Sequence, residues 1–180
     1  IILKPMVTFH ILTLFPDSFS YLNESMLKRA VKNKKIAIKI YNLRDFTVGK
    51  HKTADDKPYG GGPGMVLKAE PIVRATRAIQ SKVKSQRSKV ILFAADGKQF
   101  TNVYAKKLSK SYKDIILIAG HYEGVDERVA KILKAEKVSI GPYILTGGEL
   151  PAMILVDAVS RQIQGVLGKH ESLEEQKGSY

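Results

Sequence analysis

The segment Asp55-Asp56-Lys57-Pro58-Tyr59-Gly60-Gly61-Gly62-Pro63-Gly64-Met65 packs four glycines and two prolines into eleven residues behind a pair of acids. Neither a packed helix nor a ladder-forming strand accepts that composition. Glycine loses the most backbone freedom on ordering, and proline fixes φ and removes a donor. The segment is either a slack linker or a loop that lets another molecule's backbone or rings come close, and the rigid Pro58-Tyr59 and Pro63 punctuation is unusual for a linker. A second cluster, from Ser139 through Gly141, Pro142, Gly147 and Gly148 to Glu149, has the same character. The chemistry such loops offer is that of the backbone: N–H and C=O groups reading the edge of a ligand at close range. Two such loops in one small chain read as two walls of a site.

Other chemistries lack their residues. No G-x-G-x-x-G follows a strand-like run and no G-x-x-x-x-G-K-[ST] occurs, which disfavours dinucleotide and P-loop nucleotide binding. There is no G-x-S-x-G elbow for acyl transfer. His10, His51, His121 and His170 are scattered and cysteine is absent, so no zinc site is expected.

The elements that must position these loops alternate along the chain. Val7–Leu14 is a β-rich run ended by Pro16; Asp17 or Ser18 is placed to cap a following helix bearing Phe19, Leu22, Met26, Ala30 and Val31. Ile36–Leu43 alternates like a strand. Pro71 to about Val83 reads as an amphipathic helix with Arg74, Arg77, Lys82 and Lys84 toward solvent. Lys89–Ala95 and Ile115–Ala119 are short continuous apolar runs, the pattern of strands buried on both faces of a parallel sheet. Helices are expected at about 101–112, 126–135 and 150–163. This alternation predicts an α/β domain with a mostly parallel sheet. In such sheets ligands gather beyond the carboxyl ends of strands. Ala94–Lys98, Gly120–Gly124 and the second glycine cluster are therefore expected to converge.

At 180 residues, with 44% hydrophobic and 26% charged side chains, one ordinary globular domain is expected. The charge is not ordinary: 30 Lys and Arg against 17 Asp and Glu give +13. Residues 1–65 carry 11 basic and 5 acidic side chains, 66–113 carry 12 and 2, and 114–180 carry 7 and 10. An excess of this size suits a polyanion, RNA or DNA before an anionic membrane surface. No apolar run approaches a membrane span, and the absence of cysteine fits a reducing cytoplasm. Residues 1–5, interrupted by Lys4 and Pro5, read as an upstream remnant or tag rather than a signal peptide. The domain is placed at 6–165, and 166–180 as the polar start of a flexible linker.

Leu14-Phe15-Pro16, Arg44-Asp45-Phe46, Asp56–Met65, Gly120–Arg128, Ser139-Ile140-Gly141, Gly147–Met153 and Asp157–Arg161 occur in one order along nearly the whole chain. In that order they resemble the bacterial tRNA (guanine-N1)-methyltransferases, the TrmD family of the SPOUT class. The resemblance implies S-adenosylmethionine held in a C-terminal trefoil knot, a homodimer with sites at the subunit interface, and methylation of N1 of guanine at position 37 of tRNA. Mg2+ assistance is left open. The implied cofactor set is Ala95 and Gly97; Gly120, Tyr122 and Gly124; and Ile140, Gly141, Pro142, Tyr143, Ile144, Leu145, Gly147, Gly148 and Pro151. The expected RNA set is Asp56, Tyr59, Gly60 and Gly62 of the first glycine loop, joined on charge grounds by Arg74 and Arg77 of the strongly basic 66–113 segment.

For catalysis, Glu123 matches a position near methyl transfer, and Arg161 matches an arginine able to stabilise charge that builds toward guanine O6. N1 of neutral guanine carries a hydrogen, so a base must remove it. The family's aspartate position is Gln176 here, which cannot act as a base; Glu175 or Glu174 beside it can take that role. A catalytically silent RNA-binding module of the same fold is the alternative. The family also carries a helical C-terminal domain, and this chain ends at Tyr180 within the linker.

Overall fold

The computed structural model describes residues 7–58, 60–83 and 86–167. Five strands form one parallel sheet in the order β2-β1-β6-β5-β7: Val7–Thr13 (β1), Ile36–Asn42 (β2), Ser88–Gln99 (β5), Asp114–Ile118 (β6) and Glu136–Ser139 (β7). Asp55–Asp56 (β3) and Val66–Leu67 (β4) pair antiparallel at the neck of the first glycine loop. Helices Ser25–Lys32 (α1), Ala69–Lys82 (α2), Asn102–Ser111 (α3), Arg128–Leu133 (α4) and Glu149–Arg161 (α5) cover the sheet.

The apolar runs explain why both faces are covered. Phe9, Ile11, Ile91, Ile115 and Leu117 point into one core with α1, α3 and α5. Their alternates Leu12, Val90, Leu92, Ile116 and Ile118 point into a second core with α2 and α4. Helix α2 seats Ile72, Ala75, Thr76 and Ile79, one stripe at helical spacing. Midway along β1 His10 is buried, its ring nitrogens 3.1 Å from the Tyr41 hydroxyl and 3.0 Å from Asp114, which ties β1 to both neighbours.

Three expectations change. The helix expected after Pro16 is two pieces, a 3-10 segment Pro16–Asn23 and then α1, separated by extended Glu24. Phe19 and Leu22 lie three apart, the spacing that a 3-10 helix stacks on one side, and neither Asp17 nor Ser18 caps it. Residues Ala94–Lys98, expected as a loop after a strand, lie within β5. The strand bulges between Phe93 and Lys98, both of which pair with Val138, so four residues leave the ladder before it resumes. Strand β7 was not anticipated: Glu136–Ser139 is short, with two charged residues leading, and its partner is the bulged strand.

Candidate functional site

The bulge of β5 and the loops after β6 and β7 enclose a cavity of about 400 Å3. Leu92, Phe93 and Val138 give it an apolar part, and Gly120, Gly124, Gly141, Gly147 and Gly148 are among its lining.

Close backbone approach locks the loops together. The Gly148 amide donates to the Gly120 carbonyl at 2.7 Å, the Ala119 amide donates to Leu12 O at 2.9 Å, and His121 and Gly147 form an antiparallel bridge. A Cβ on Gly148 would lie 2.7 Å from Ala119 Cα, and one on Gly147 would lie 2.2 Å from Glu149 Oε2. Gly148 thus admits the backbone of the neighbouring loop, and Gly147 leaves room for the Glu149 and His121 side chains.

The loop after β6 is sewn to β4. Glu123 N donates to Met65 O, Leu67 N to Gly124 O and Asp126 N to Leu67 O, at 3.0, 3.0 and 3.1 Å. Gly124 makes the required reversal at φ +132°, which side chains avoid. Through these bonds the end of the first glycine loop reaches the cavity: a Cβ on Gly64 would meet Glu123 Oε1 at 2.6 Å. After β7, Ser139 Oγ donates to Gly141 O at 3.0 Å and Tyr143 OH to Ile140 O at 3.4 Å. Gly141 leaves room for the Tyr143 ring, 2.2 Å from where its Cβ would stand.

Charge gathers at the rim. Lys137 is pinned by Glu127 (2.6 Å) and Asp96 (3.2 Å), and the Glu127 hydrogen bond holds its pKa above the ordinary lysine value. Beside it the Arg128 side chain holds Asp126 below the usual carboxylate range, and the Arg128 amide adds a 2.9 Å bond to Oδ1. Among the described residues no group of three or more His, Cys, Asp or Glu is placed to hold a metal ion.

Of the expected cofactor set, Ala95, Gly120, Tyr122, Gly124, Ile140, Gly141, Tyr143, Ile144, Leu145, Gly147, Gly148 and Pro151 line the cavity, as does Glu123. Gly97 and Pro142 do not: a Cβ on Gly97 would stand 2.5 Å from Val138 N, so this glycine returns the bulge to the sheet. Arg161 is not on the cavity either. It ends α5, the helix whose first residue Glu149 adjoins the cavity, and it lines an apolar groove with Tyr21, Leu150, Met153, Ile154, Asp157 and Ala158. Of the RNA set, Asp56 stands in β3 with its pKa lowered by the Lys57 amide and the Lys68 charge, and Gly60 and Gly62 lie open at positive φ. Arg74 and Arg77 border a groove with Arg128; Arg74 is committed to Phe46 O at 2.7 Å and to Glu70, whereas the Arg77 residue is exposed. Tyr59, Lys84, Glu174, Glu175 and Gln176 lie outside the described residues.

Sequence reasoning missed Thr13, and it placed Ser139, His121 and Glu149 in the converging loops without assigning their side chains a part. Thr13 donates its hydroxyl to Glu149 Oε1 at 2.9 Å, and His121 Nδ1 lies 3.4 Å from Oε2. The available signal was a hydroxyl at Thr13 closing the apolar Ile11-Leu12 end of β1.

A parallel sheet flanked by helices, with three neighbouring strands feeding loops around one cavity, defines an α/β domain whose candidate site lies beyond the carboxyl ends of its strands. Sequence comparison narrows the class. The chain belongs to the tRNA (guanine-1)-methyltransferase family, TrmD, whose model matches residues 7–179. It is 48% identical over 169 residues to a tRNA (guanine-N(1)-)-methyltransferase of Clostridioides difficile, covering 93% of this chain and 73% of the relative. For relatives of the same name from Desulforamulus reducens and Dictyoglomus turgidum, identity is 49% and 51%, with 92% and 95% of this chain and 65% and 68% of theirs covered. The chain thus spans about two thirds to three quarters of these relatives' length. The crystal structure of tRNA (m1G37) methyltransferase from Aquifex aeolicus superposes with a TM-score of 0.81 at 39% identity, covering 91% of this chain and 73% of that one. No helix among the described residues is long and apolar enough to cross a membrane.

Proposed function

We propose that this chain transfers a methyl group from S-adenosylmethionine to N1 of guanine at position 37 of tRNA. The observation that carries the reading is the convergence of three backbone-rich loops on one cavity in a member of this family, with Glu123 on its wall. The cavity suits the cofactor: its volume is that of a small-molecule site, part of its lining is apolar for an adenine face, and Ile140–Leu145 offers backbone groups along one wall. Bound S-adenosylmethionine supplies an electrophilic methyl on a sulfonium.

The residues then have these parts. A carboxylate, Glu175 or Glu174, takes the N1 proton, so that the freed N1 pair forms the new N–C bond as the methyl leaves sulfur. The guanidinium of Arg161 receives the charge that moves to O6. Glu123, anchored through its amide to Met65, orients the reacting groups.

Within one chain Arg161 stands about 18 Å along α5 from Glu149, twelve residue rises of about 1.5 Å. A two-fold homodimer resolves this. The apolar groove bearing exposed Tyr21, Leu150 and Ile154 is covered by a second copy, and each Arg161 completes the other site. The loop after β7 is proposed to thread as the family's trefoil knot. Its support is the Gly148–Gly120 hydrogen bond and the His121–Gly147 bridge, which set that loop directly against the one after β6. Residues 6–165 are the methyltransferase domain, 166–180 begin a linker, and the working compartment is the cytoplasm. The deciding experiment is calorimetric titration with S-adenosylmethionine, followed by methyl transfer to a G37 transcript in a version extended to the relatives' length. Micromolar cofactor binding without transfer by the extended protein would favour a silent RNA-binding module.

A further inference from the structure

Glu149 opens α5 with its carboxylate almost wholly withdrawn from water; the residue is 9% exposed and does not line the cavity. A first-turn acid gains from the helix dipole while it stays solvated, so the dipole does not account for burial, which costs free energy unless the charge is hydrogen-bonded. The partners here come from two other elements. Oε1 accepts the Thr13 hydroxyl at 2.9 Å from the end of β1, and Oε2 faces His121 Nδ1 at 3.4 Å from the loop after β6. Thr13 Oγ1 in turn accepts the Phe15 amide at 2.9 Å, and the Phe15 ring stands edge-on to His121 at 4.6 Å. The circuit closes over Gly147, whose missing Cβ would lie 2.2 Å from Glu149 Oε2 and 2.6 Å from His121 Nδ1. Only a bare backbone passes there.

We propose that Glu149 is a positioning residue for the cofactor: bound between Thr13 and His121, it clamps the loop after β6 against the loop after β7 and so sets the cavity's width. This rests on reading the cavity as the S-adenosylmethionine site. Glu149 acts through His121 and Gly147, which line the cavity, and it touches no reacting atom. Its loss therefore weakens cofactor binding and leaves the chemical step at saturating cofactor alone.

The test measures S-adenosylmethionine Kd by calorimetry and the single-turnover methyl-transfer rate at saturating cofactor, using protein extended to the relatives' length. Glu149→Ala is expected to raise Kd about tenfold or more, the effect of losing hydrogen bonds at a buried charge, with the saturated rate within about threefold of wild type. Glu149→Gln, whose carbonyl still accepts from Thr13, is expected to recover most of the affinity. Gly147→Ala weakens binding by itself, and the Gly147→Ala/Glu149→Ala double variant is expected to lose less than the product of the singles, because the atom nearest the new methyl is gone. Thr13→Ala moves Kd in the same direction if Glu149→Ala does not fold. An unchanged Kd in folded Glu149→Ala or Thr13→Ala, a lost saturated rate at unchanged Kd, or fully multiplicative losses would overturn the proposal. Wild-type protein that binds no cofactor would instead overturn the reading of the cavity.

Discussion

Gly148→Ala asks whether the contact between the two cavity loops is as tight as the structure has it. Gly148 has φ −84° and ψ 0°, a conformation alanine also adopts, so no backbone strain enters. The new methyl would stand 2.7 Å from Ala119 Cα and 2.8 Å from Gly120 N, both backbone atoms that no side-chain rotation can clear. Ordinary contact begins at 3.4 Å, so the loops must part by about 0.7 Å. That opening stretches the 2.7 Å bond from the Gly148 amide to Gly120 O beyond normal hydrogen-bond length. Overpacking of this kind costs about 1–3 kcal/mol and the lost bond about 1, against about 0.4–1 kcal/mol returned by the stiffer unfolded chain. A net loss of about 2 kcal/mol lowers the melting temperature by about 4–8 °C in a chain of this size. Because Gly120 and Gly148 both line the cavity, S-adenosylmethionine affinity falls by about tenfold. Differential scanning calorimetry and cofactor titration read the two effects. Unchanged melting temperature together with unchanged Kd would refute the close approach of the loops.

Three further outcomes are expected. Arg77→Glu weakens binding of a tRNA transcript and lowers its logarithmic salt slope by roughly one, since fewer counterions are released; a filter-binding series from low to high salt checks this, and an unaltered slope places the RNA elsewhere. Ile154→Asp on the exposed stripe of α5 yields monomers by analytical ultracentrifugation and loses turnover while keeping cofactor affinity, and a persisting dimer contradicts the proposed interface. Arg128 holds Asp126 below its usual range; burial of Glu136 works the other way, but Lys89 still holds it below. A carboxyl with a lowered folded pKa contributes stability above its unfolded pKa and loses it as pH falls through the folded one. Urea unfolding at stepped pH should therefore show stability falling below about pH 4, with a shallower fall in Asp126→Asn/Glu136→Gln; an identical acid limb in that variant would remove these two groups from the account.

The sheet was readable because burial on both faces leaves runs such as Ile115–Ile118 no polar alternates, and its loops follow from parallel topology. What the pattern concealed was local. Asp96-Gly97 marks the departure from β5 but not the return of the strand to its ladder at Lys98, and β7 is too short and too charged at its start to register as a period. The break at Glu24 hides because spacings of three and four both suit an amphipathic helix. At the site, glycine content announced the loops but not their reason: Gly148 makes way for neighbouring backbone, Gly147 for the Glu149 and His121 side chains, and Gly141 for the Tyr143 ring. Thr13 and Glu149, 136 residues apart, meet only once β1 and α5 are packed, which no local spacing encodes.

The central claim is methyl transfer to guanine N1 using cofactor held in this cavity. Its most direct measurement is single-turnover transfer of labelled methyl from S-adenosylmethionine to two transcripts of one tRNA, with G or A at position 37, followed by nucleoside analysis. Label is expected as 1-methylguanosine in the G37 transcript alone, abolished with cofactor binding when Gly148 is replaced by a bulky residue such as valine. Label at another base, or equal transfer to the A37 transcript, would contradict the account.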